Sequence, residues 1–378
     1  MSTANPDESL PRLNLPLQPP IEPMLALLTR EVPEGDGWLY EPKWDGFRAL
    51  VFWDGEQLVI QSRDLRPLGR YFPEVDAGLR ANLRPGVVVD GEVVIAGPNG
   101  LDFDALLQRI HPAASRIKLL ARQTPASFVA FDMLVDNFED LRRAPQSDRR
   151  ARLEQALSGV GPPAHVTPAT TDRARATRWF ERFEGAGLDG VVAKRLDGPY
   201  EPGKRSMLKI KHQRTADCVV GGFRWNRGRT GESVGSLLLG LYDDAGVMHH
   251  VGFTSSLKAA EKRELVKFLE PYRDLREREP FGQGRGPGGP SRWNQGRQNE
   301  TDWLPLRPEL VCEVAFDHWQ GDIPHGGGPE WDGRFRHGTT FLRWRPDKPP
   351  EQCTFEQLTF AVPVELEEIF GPRGVPPA

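Results

Sequence analysis

The sequence predicts an α+β chain of two domains: first mainly antiparallel sheets flanked by helices, then a small β-barrel. Three observations lead there. At 378 residues the chain is about 2.5 times a typical ~150-residue domain, which makes two domains the expectation. Thirty-nine glycines and thirty-five prolines demand many turns, and frequent turns suit short strands better than a helical bundle. The pattern also changes after His212. Before it, strand-like runs alternate with helical ones; after it, several short strands are interrupted by one helical segment.

Taken in order, residues 1–22 are polar and Pro-rich without apolar periodicity, and read as a flexible arm. The first domain then spans 23–212. VVVDGEVVI (Val87 to Ile95) and SFVAFDMLV (Ser127 to Val135) are short, β-branched and bounded by Gly or Pro, the mark of buried strands. LDFDALLQRI (Leu101 to Ile110) and the run from Thr170 to Ala186 read as helices. In the second, Trp179 and Phe183 share a face and Asp172 caps the start. The second domain spans 213–378, with strands at 217–224, 234–243, 247–254, 310–316 and 340–345. Its helix, Ser256 to Tyr272, carries Leu265, Phe268 and Leu269 as an apolar stripe. A Gly-rich basic loop near 281–299 completes it, and the hinge is expected around His212 to Ala216.

Composition excludes several function classes. Hydrophobic residues at 38% support real cores, yet no run of 18 apolar residues exists to span a membrane. The N-terminus lacks a basic-then-apolar signal, so a cytoplasmic protein is expected. Cys218, Cys312 and Cys353 are far apart and form no CxxC, which supports neither a disulfide framework nor a zinc ribbon. A net charge of −4 excludes a uniformly basic nucleic-acid coat but leaves room for a local basic groove.

The chemistry-bearing segments follow one another in one order. EPKWDGFRAL (Glu41 to Leu50) sets Lys43 between Pro42 and Trp44 and leads into a strand. A lone lysine is ordinarily a solvated charge, so the segment gains meaning only from its companions. SRDLRPLGRYFPE places Arg63 after a strand, and VVVDGEVVI puts Glu92 on an apolar strand, where a carboxylate needs a reason to sit. AFDML presents Phe131; GLDGVVAKR sets Asp189 five residues before Lys194; SMLKIKH alternates Lys209 and Lys211 on one strand face. From Lys194 to Arg214 there are seven Lys/Arg against two acids, a run that suits a phosphate or DNA groove.

Together, and with FLRWRPDKPPEQCT (Phe341 to Thr354) closing the series, these segments resemble the nucleotidyltransferase motifs of ATP-dependent DNA ligases. The likeness covers the chain from about residue 22 onward. It is nearest to the small two-domain C-type ligases of actinobacteria, which lack an N-terminal helical DNA-binding domain. The resemblance implies an adenylation domain followed by an OB-fold barrel. It also implies sealing of 3′-OH/5′-phosphate nicks in duplex DNA through lysyl-AMP and adenylated DNA, in DNA repair.

By the same resemblance Lys43 is the nucleophile, Glu41 reads the adenine amine, and Phe131 stacks on the base. Arg48 and Glu92 face the ribose, and Glu92 and Asp189 are metal ligands for Mg²⁺ or Mn²⁺. Arg63 grips the nick 5′-phosphate; Arg205, Lys209 and Lys211 hold nucleotide phosphates; Lys194 is the lysine of the Asp189 motif and a nucleotide-binding residue; Arg345, Asp347 and Lys348 orient pyrophosphate. The chemistry suits the residue types: a carboxylate accepts from an amine and repels a carbonyl, and a guanidinium forks onto phosphate. Asp189 departs from the family pattern, which has Glu there. The family also implies ATP as cofactor, a monomer associated with the nucleoid, and recruitment by a repair primase-polymerase or an end-binding protein. An RNA ligase or GTP-using capping enzyme is the neighbouring alternative, disfavoured by Glu41. An NAD-dependent ligase is disfavoured by the missing zinc-binding cysteines. A nick-binding accessory protein without catalysis is the alternative from another class, and Lys43, Glu92, Lys209 and Lys211 weigh against it.

Overall fold

The computed structural model describes residues 10–97, 100–182, 188–211, 214–273, 280–282, 303–317, 319–321, 333–336, 338–358, 366 and 369–370, without the side chains of Arg182 and Asp189. The chain divides after His212 into two compact units; the second runs from Gln213 to Thr359, and residues from Phe360 onward belong with the first.

In the first unit the principal strands and helices, in chain order, are β1 (Ala26–Thr29), β2 (Trp38–Trp44), β3 (Phe47–Trp53), β4 (Leu58–Ser62), α1 (Pro73–Asn82), β5 (Val87–Val94), α2 (Phe103–Gln108), α3 (Ala114–Gln123), β6 (Ser127–Asp136), α4 (Gln146–Ala156), β7 (Ala164–Val166), α5 (Arg173–Arg182), β8 (Leu188–Arg195) and β9 (Met207–Lys211). They build two sheets. One has the order β1-β9-β8-β2, the other β7-β6-β5-β3-β4; only β1–β9 and β7–β6 pair in parallel.

Strand β3 shows why the second sheet reads as unbroken apolar sequence. Ala49 and Val51 pack with Phe72, Leu79, Val89 and Phe128 on one face. Leu50 and Phe52 pack with Val59, Val88 and Leu134 on the other. With both faces covered, alternation of polar and apolar residues disappears. Asp102 caps α2 as its side chain accepts from Ala105 N–H at 2.8 Å. Asp172 does the same before α5, accepting from Ala174 N–H at 2.8 Å. Trp179 is buried in the core on α5, whereas Phe183 lies outside the described residues.

Two boundary expectations need correction. The N-terminal arm is folded from residue 10 on: Leu13, Leu15, Leu17 and Ile21 are buried against Phe52, Val88 and Leu134. The leucines alternate, but the intervening prolines hide the pattern. Backbone polar groups are satisfied by glutamines instead of a ladder. Gln18 Nε2 donates to Leu13 O and Leu15 O at 2.8 and 2.6 Å, and the buried Gln61 amide exchanges bonds of 2.9 and 2.7 Å with Ile21. At the other end the second domain does not extend to residue 378. Leu366, Ile369 and Phe370 pack into the first unit's core, Phe370 meeting Trp44 and His165 edge-on at 6.2 and 5.0 Å.

The second unit contains β10 (Arg214–Trp225), β11 (Val234–Tyr242), β12 (Met248–Thr254), α6 (Ala259–Leu269), β13 (Val311–Phe316) and β14 (Thr340–Trp344). Its sheet has the antiparallel order β12-β11-β10-β13-β14. A bridge between Thr254 and Thr339 joins the two ends of that path, the closure a barrel requires. Leu265 and Leu269 of α6 are buried as expected from the stripe. Phe268 is not: it is 41% exposed and lies against the rings of Trp344 and Tyr272. The three cysteines are free and buried. Of the expected hinge, residues 214–216 begin β10 and 212–213 lie outside the described residues; so do residues 283–299 of the Gly-rich loop.

Candidate active site

One pocket in the first unit gathers Glu41, Lys43, Arg48, Arg63, Glu92, Phe131, Lys194, Arg205 and Lys209. Strand geometry explains the convergence. On β2, Glu41 and Lys43 are two residues apart and point the same way. Glu41 is the register partner of Val192, and Val192 of Lys209, so a row runs from the acid across β8 to the lysine on β9. The facing sheet contributes Arg48 on β3 and Glu92 on β5, which are register partners. Phe131 enters by a different device. Opposite the Asp90–Gly91 step the register of β6 jumps from Asp132 to Ala130, leaving Phe131 as the extra residue of an irregularity. Bulges of this kind re-aim a side chain.

Glycine at position 46 makes the turn after Lys43 possible. A Cβ there would stand 2.3 Å from the Val93 carbonyl oxygen, and the close approach lets Gly46 N–H donate to Glu92 Oε1 at 3.2 Å. Gly190 has a comparable role in β8. Its φ is +128°, and a Cβ would meet Ile210 O at 2.0 Å, at the register shift between Leu188 and Val191. Asp189 adjoins that glycine, and its side chain lies outside the described residues.

The base-reading candidate Glu41 is 2% exposed and held by cations at both oxygens. Lys194 Nζ meets Oε2 at 2.8 Å and Arg150 Nη1 meets Oε1 at 3.4 Å. Lys194 also donates to Phe131 O at 2.8 Å, with its ammonium 4.8 Å from that ring's centroid. The structure thus places Lys194, the lysine of the Asp189 motif, against Glu41 and Phe131. Arg48 sits 4.7 Å from the Phe131 centroid and grips Asp90 through Nε and Nη2, both at 2.6 Å. Tyr200 Oη donates to Asp90 at 2.7 Å and accepts from Met24 N–H at 2.9 Å, while Arg48 Nη2 donates to Met24 O at 3.2 Å. Burial opposes the Arg48 charge, but Asp90 outweighs it and raises the guanidinium above its ordinary value.

Elsewhere in the pocket, like charges meet. Burial, then Lys43, Lys211, Arg205 and Arg63, push the Lys209 ammonium below its usual range. That influence places Lys211 near the cationic group, although it does not line the pocket. Glu92 is pushed up to about 7 by burial, against the pull of Arg48 and Lys43 and with a further rise from Asp45 and Asp90. Among the described residues no three His, Cys, Asp or Glu side chains form a metal cage. Among the described residues Glu41 and Glu92 are the carboxylates lining the pocket; with Glu41 taken by two cations, Glu92 is the one that fits a Mg²⁺ held chiefly by substrate phosphates and water.

In the second unit, Arg345 is committed to two carboxylates. Nη1 donates to both Asp217 oxygens at 2.9 and 3.0 Å, and Nη2 donates to Asp347 at 2.8 Å. Arg345 lowers the Asp347 carboxyl to about 2, and Lys348 lies 3.9 Å from Asp217. Sequence reasoning missed Asp90, Arg150, Tyr200 and Asp217. Asp90 alone carried a signal, a second acid on the strand that bears Glu92. The others are brought in by contacts 109, 110 and 128 positions away in sequence.

Comparison with known proteins adds the following. Residues 23–211 match the ATP dependent DNA ligase domain and residues 230–348 the ATP dependent DNA ligase C terminal region. The chain is 50% identical over 362 residues to DNA ligase C1 of Mycolicibacterium smegmatis, covering 94% of this chain and 99% of that protein. It is 46% identical over 369 residues to DNA ligase C of Mycobacterium tuberculosis, with coverage of 94% and 99%. The solved structure named Pmar-Lig_Pre aligns over 85% of this chain and 68% of its own at 17% identity, with a TM-score of 0.54, a likeness of fold.

Proposed function

Because this chain belongs to the ATP-dependent DNA ligase family, whose general reaction seals nicks with an activated AMP, we propose that Lys43 is the nucleophile that carries it. Nζ of Lys43 bonds to the α-phosphorus of ATP as the bond to pyrophosphate breaks. An oxygen of the nick 5′-phosphate then attacks the same phosphorus and frees Lys43. Finally the 3′-hydroxyl oxygen attacks the 5′-phosphate and AMP leaves.

The carrying observation is the convergence of Lys43 with Glu41, Phe131 and Lys209 in one pocket. An amine attacks only when unprotonated, and Lys43 and its neighbour Lys209 repel each other, Lys43 helping to push Lys209 below its usual range. Lys209, with Lys211 beside it, is positioned to balance charge developing on the α-phosphate, and Arg63 and Arg205 supply forks for further phosphate oxygens. Glu41 would accept from the adenine amine, and Phe131 would stack on the base. Glu92 would face the ribose and hold Mg²⁺ together with the nucleotide phosphates; Asp189 is the second candidate ligand. Bound there, the ion supplies charge neutralisation at the phosphates. In the second unit Arg345, Asp347 and Lys348 would orient pyrophosphate, which requires Arg345 to exchange a carboxylate for phosphate. The biological setting we propose is DNA repair, with recruitment by a primase-polymerase or an end-binding protein. A pull-down with those purified candidates tests it, and enrichment no greater than for an unrelated control would reject it.

Covalent labelling tests the chemistry. The protein, stripped first with pyrophosphate, is incubated with α-labelled ATP, GTP or NAD and Mg²⁺, then denatured. The expected result is ATP-specific label, absent in Lys43→Ala and discharged by nicked DNA. Label that survives in Lys43→Ala would remove Lys43 from the role. Absence of label from every nucleotide would favour a nick-binding module.

A further inference from the structure

Arg150 approaches Glu41 from behind the pocket wall and is not among the residues lining the pocket. Its guanidinium is used on three sides. Nε donates to Glu154 Oε1 at 2.7 Å, Nη2 donates to Thr167 O at 2.7 Å, and Nη1 meets Glu41 Oε1 at 3.4 Å. The fork therefore joins α4, the segment after β7, and β2. The same Thr167 accepts from Trp44 Nε1 at 2.9 Å through its hydroxyl, which fixes the residue next to Lys43. Lys194 takes the other Glu41 oxygen.

We infer that Arg150 is the positioning residue for base selection, holding the Glu41 carboxylate so that the pocket accepts a purine with a 6-amino group and rejects a 6-oxo purine. The inference rests on the reading of Glu41 as the base-contacting acid. A carboxylate has about four lone-pair sites. With one cation on each oxygen, the remaining sites keep a fixed direction and can accept an amine N–H, whereas a 6-oxo group brings a second acceptor against them. Lysine could supply charge and three rotatable donors at position 150, but from one nitrogen, not the rigid planar fork that spans these three acceptors.

The test is lysyl-adenylation kinetics with ATP and with inosine triphosphate, whose base differs at that one group, alongside thermal melting. Arg150→Ala is expected to raise KM for ATP about tenfold and lower the ATP/inosine preference about tenfold, the worth of one charged hydrogen bond. Its kcat at saturating ATP should stay within about twofold, the signature of lost binding rather than lost chemistry. Glu41→Gln should lose the preference as well, and the double variant should lose no more than Glu41→Gln alone, because Arg150 acts through Glu41. Arg150→Lys keeps the charge and serves if the alanine variant does not fold; its preference should fall between wild type and Glu41→Gln. If Glu41→Gln loses the preference while the folded Arg150 variants keep the wild-type ratio, the inference is overturned and the reading of Glu41 stands. If Glu41→Gln keeps the wild-type ratio, both fall together.

Discussion

The two ends of the pocket handle charge in opposite ways. At the end proposed for the base, Glu41 lies between Lys194 and Arg150, and Arg48 is locked onto Asp90, so these charges have partners within the protein. At the other end Lys43, Arg63, Arg205 and Lys209 face one another, and burial with their mutual repulsion depresses Lys209. The difference follows from what each end is proposed to receive. A neutral base contributes no charge, so the protein balances its own and keeps the reading groups rigid. A polyphosphate brings its own negative charge, so a surplus of cations there becomes favourable only with ligand bound.

Four experiments break or sharpen this contrast. The largest effect belongs to Lys43→Ala, which should reduce covalent labelling by ATP on the order of 10⁴-fold or more, as loss of a nucleophile does. Retained labelling would deny the cationic end its reactive role. Next is Asp90→Asn, which leaves the partly buried Arg48 without its fully buried carboxylate. Denaturant unfolding should show a loss of about 4 kcal/mol, and a change below about 1 kcal/mol would mean the pair is not the compensated unit described. Lys209→Met should slow adenylation about 10²-fold, roughly one lost electrostatic contact in a dry site. It should leave the ATP/inosine triphosphate preference unchanged, and an altered preference would erase the division between the two ends.

The smallest effect concerns Glu92, which stands between the two. Its folded value of about 7 lies above the ordinary carboxyl range, so the folded protein holds that proton more tightly than the unfolded chain. The group costs nothing below the unfolded value. Stability is lost as pH rises from about 4.5 through about 7, by about 2–3 kcal/mol between pH 5 and pH 8. Glu92→Gln removes the titration, so its stability relative to wild type should grow by that amount between pH 5 and pH 8, without nucleotide or divalent ion. A difference independent of pH would contradict the burial that raises Glu92.

Legibility in the sequence followed the distance over which residues act. The strands bearing Asp90, Glu92 and Phe131 were readable because a strand buried on both faces leaves a local, β-branched signature. Lys43, Glu41 and Lys209 were readable as an ordered series of short motifs. The N-terminal segment was not, since its alternate leucines are interrupted by prolines and its polar groups are satisfied by Gln18 and Gln61 rather than by a ladder. The packing of Leu366 and Phe370 on the first unit was equally hidden, because a few apolar residues after a Pro-rich stretch do not say which core they join.

By itself, then, the sequence determined the α+β architecture, the change of pattern near His212, the family, and most of the side chains that meet in the pocket. All of these depend on local spacing and residue type. The tertiary structure decided which charges answer which: that Arg48 belongs to Asp90, that Lys194 and Arg150 share Glu41, and that Arg345 is held by Asp217. An ion pair forms between side chains brought within a few ångströms by folding, and several of these partners stand more than a hundred residues apart. No local pattern records such a partnership, because its energy exists only once desolvation and proximity have been imposed together.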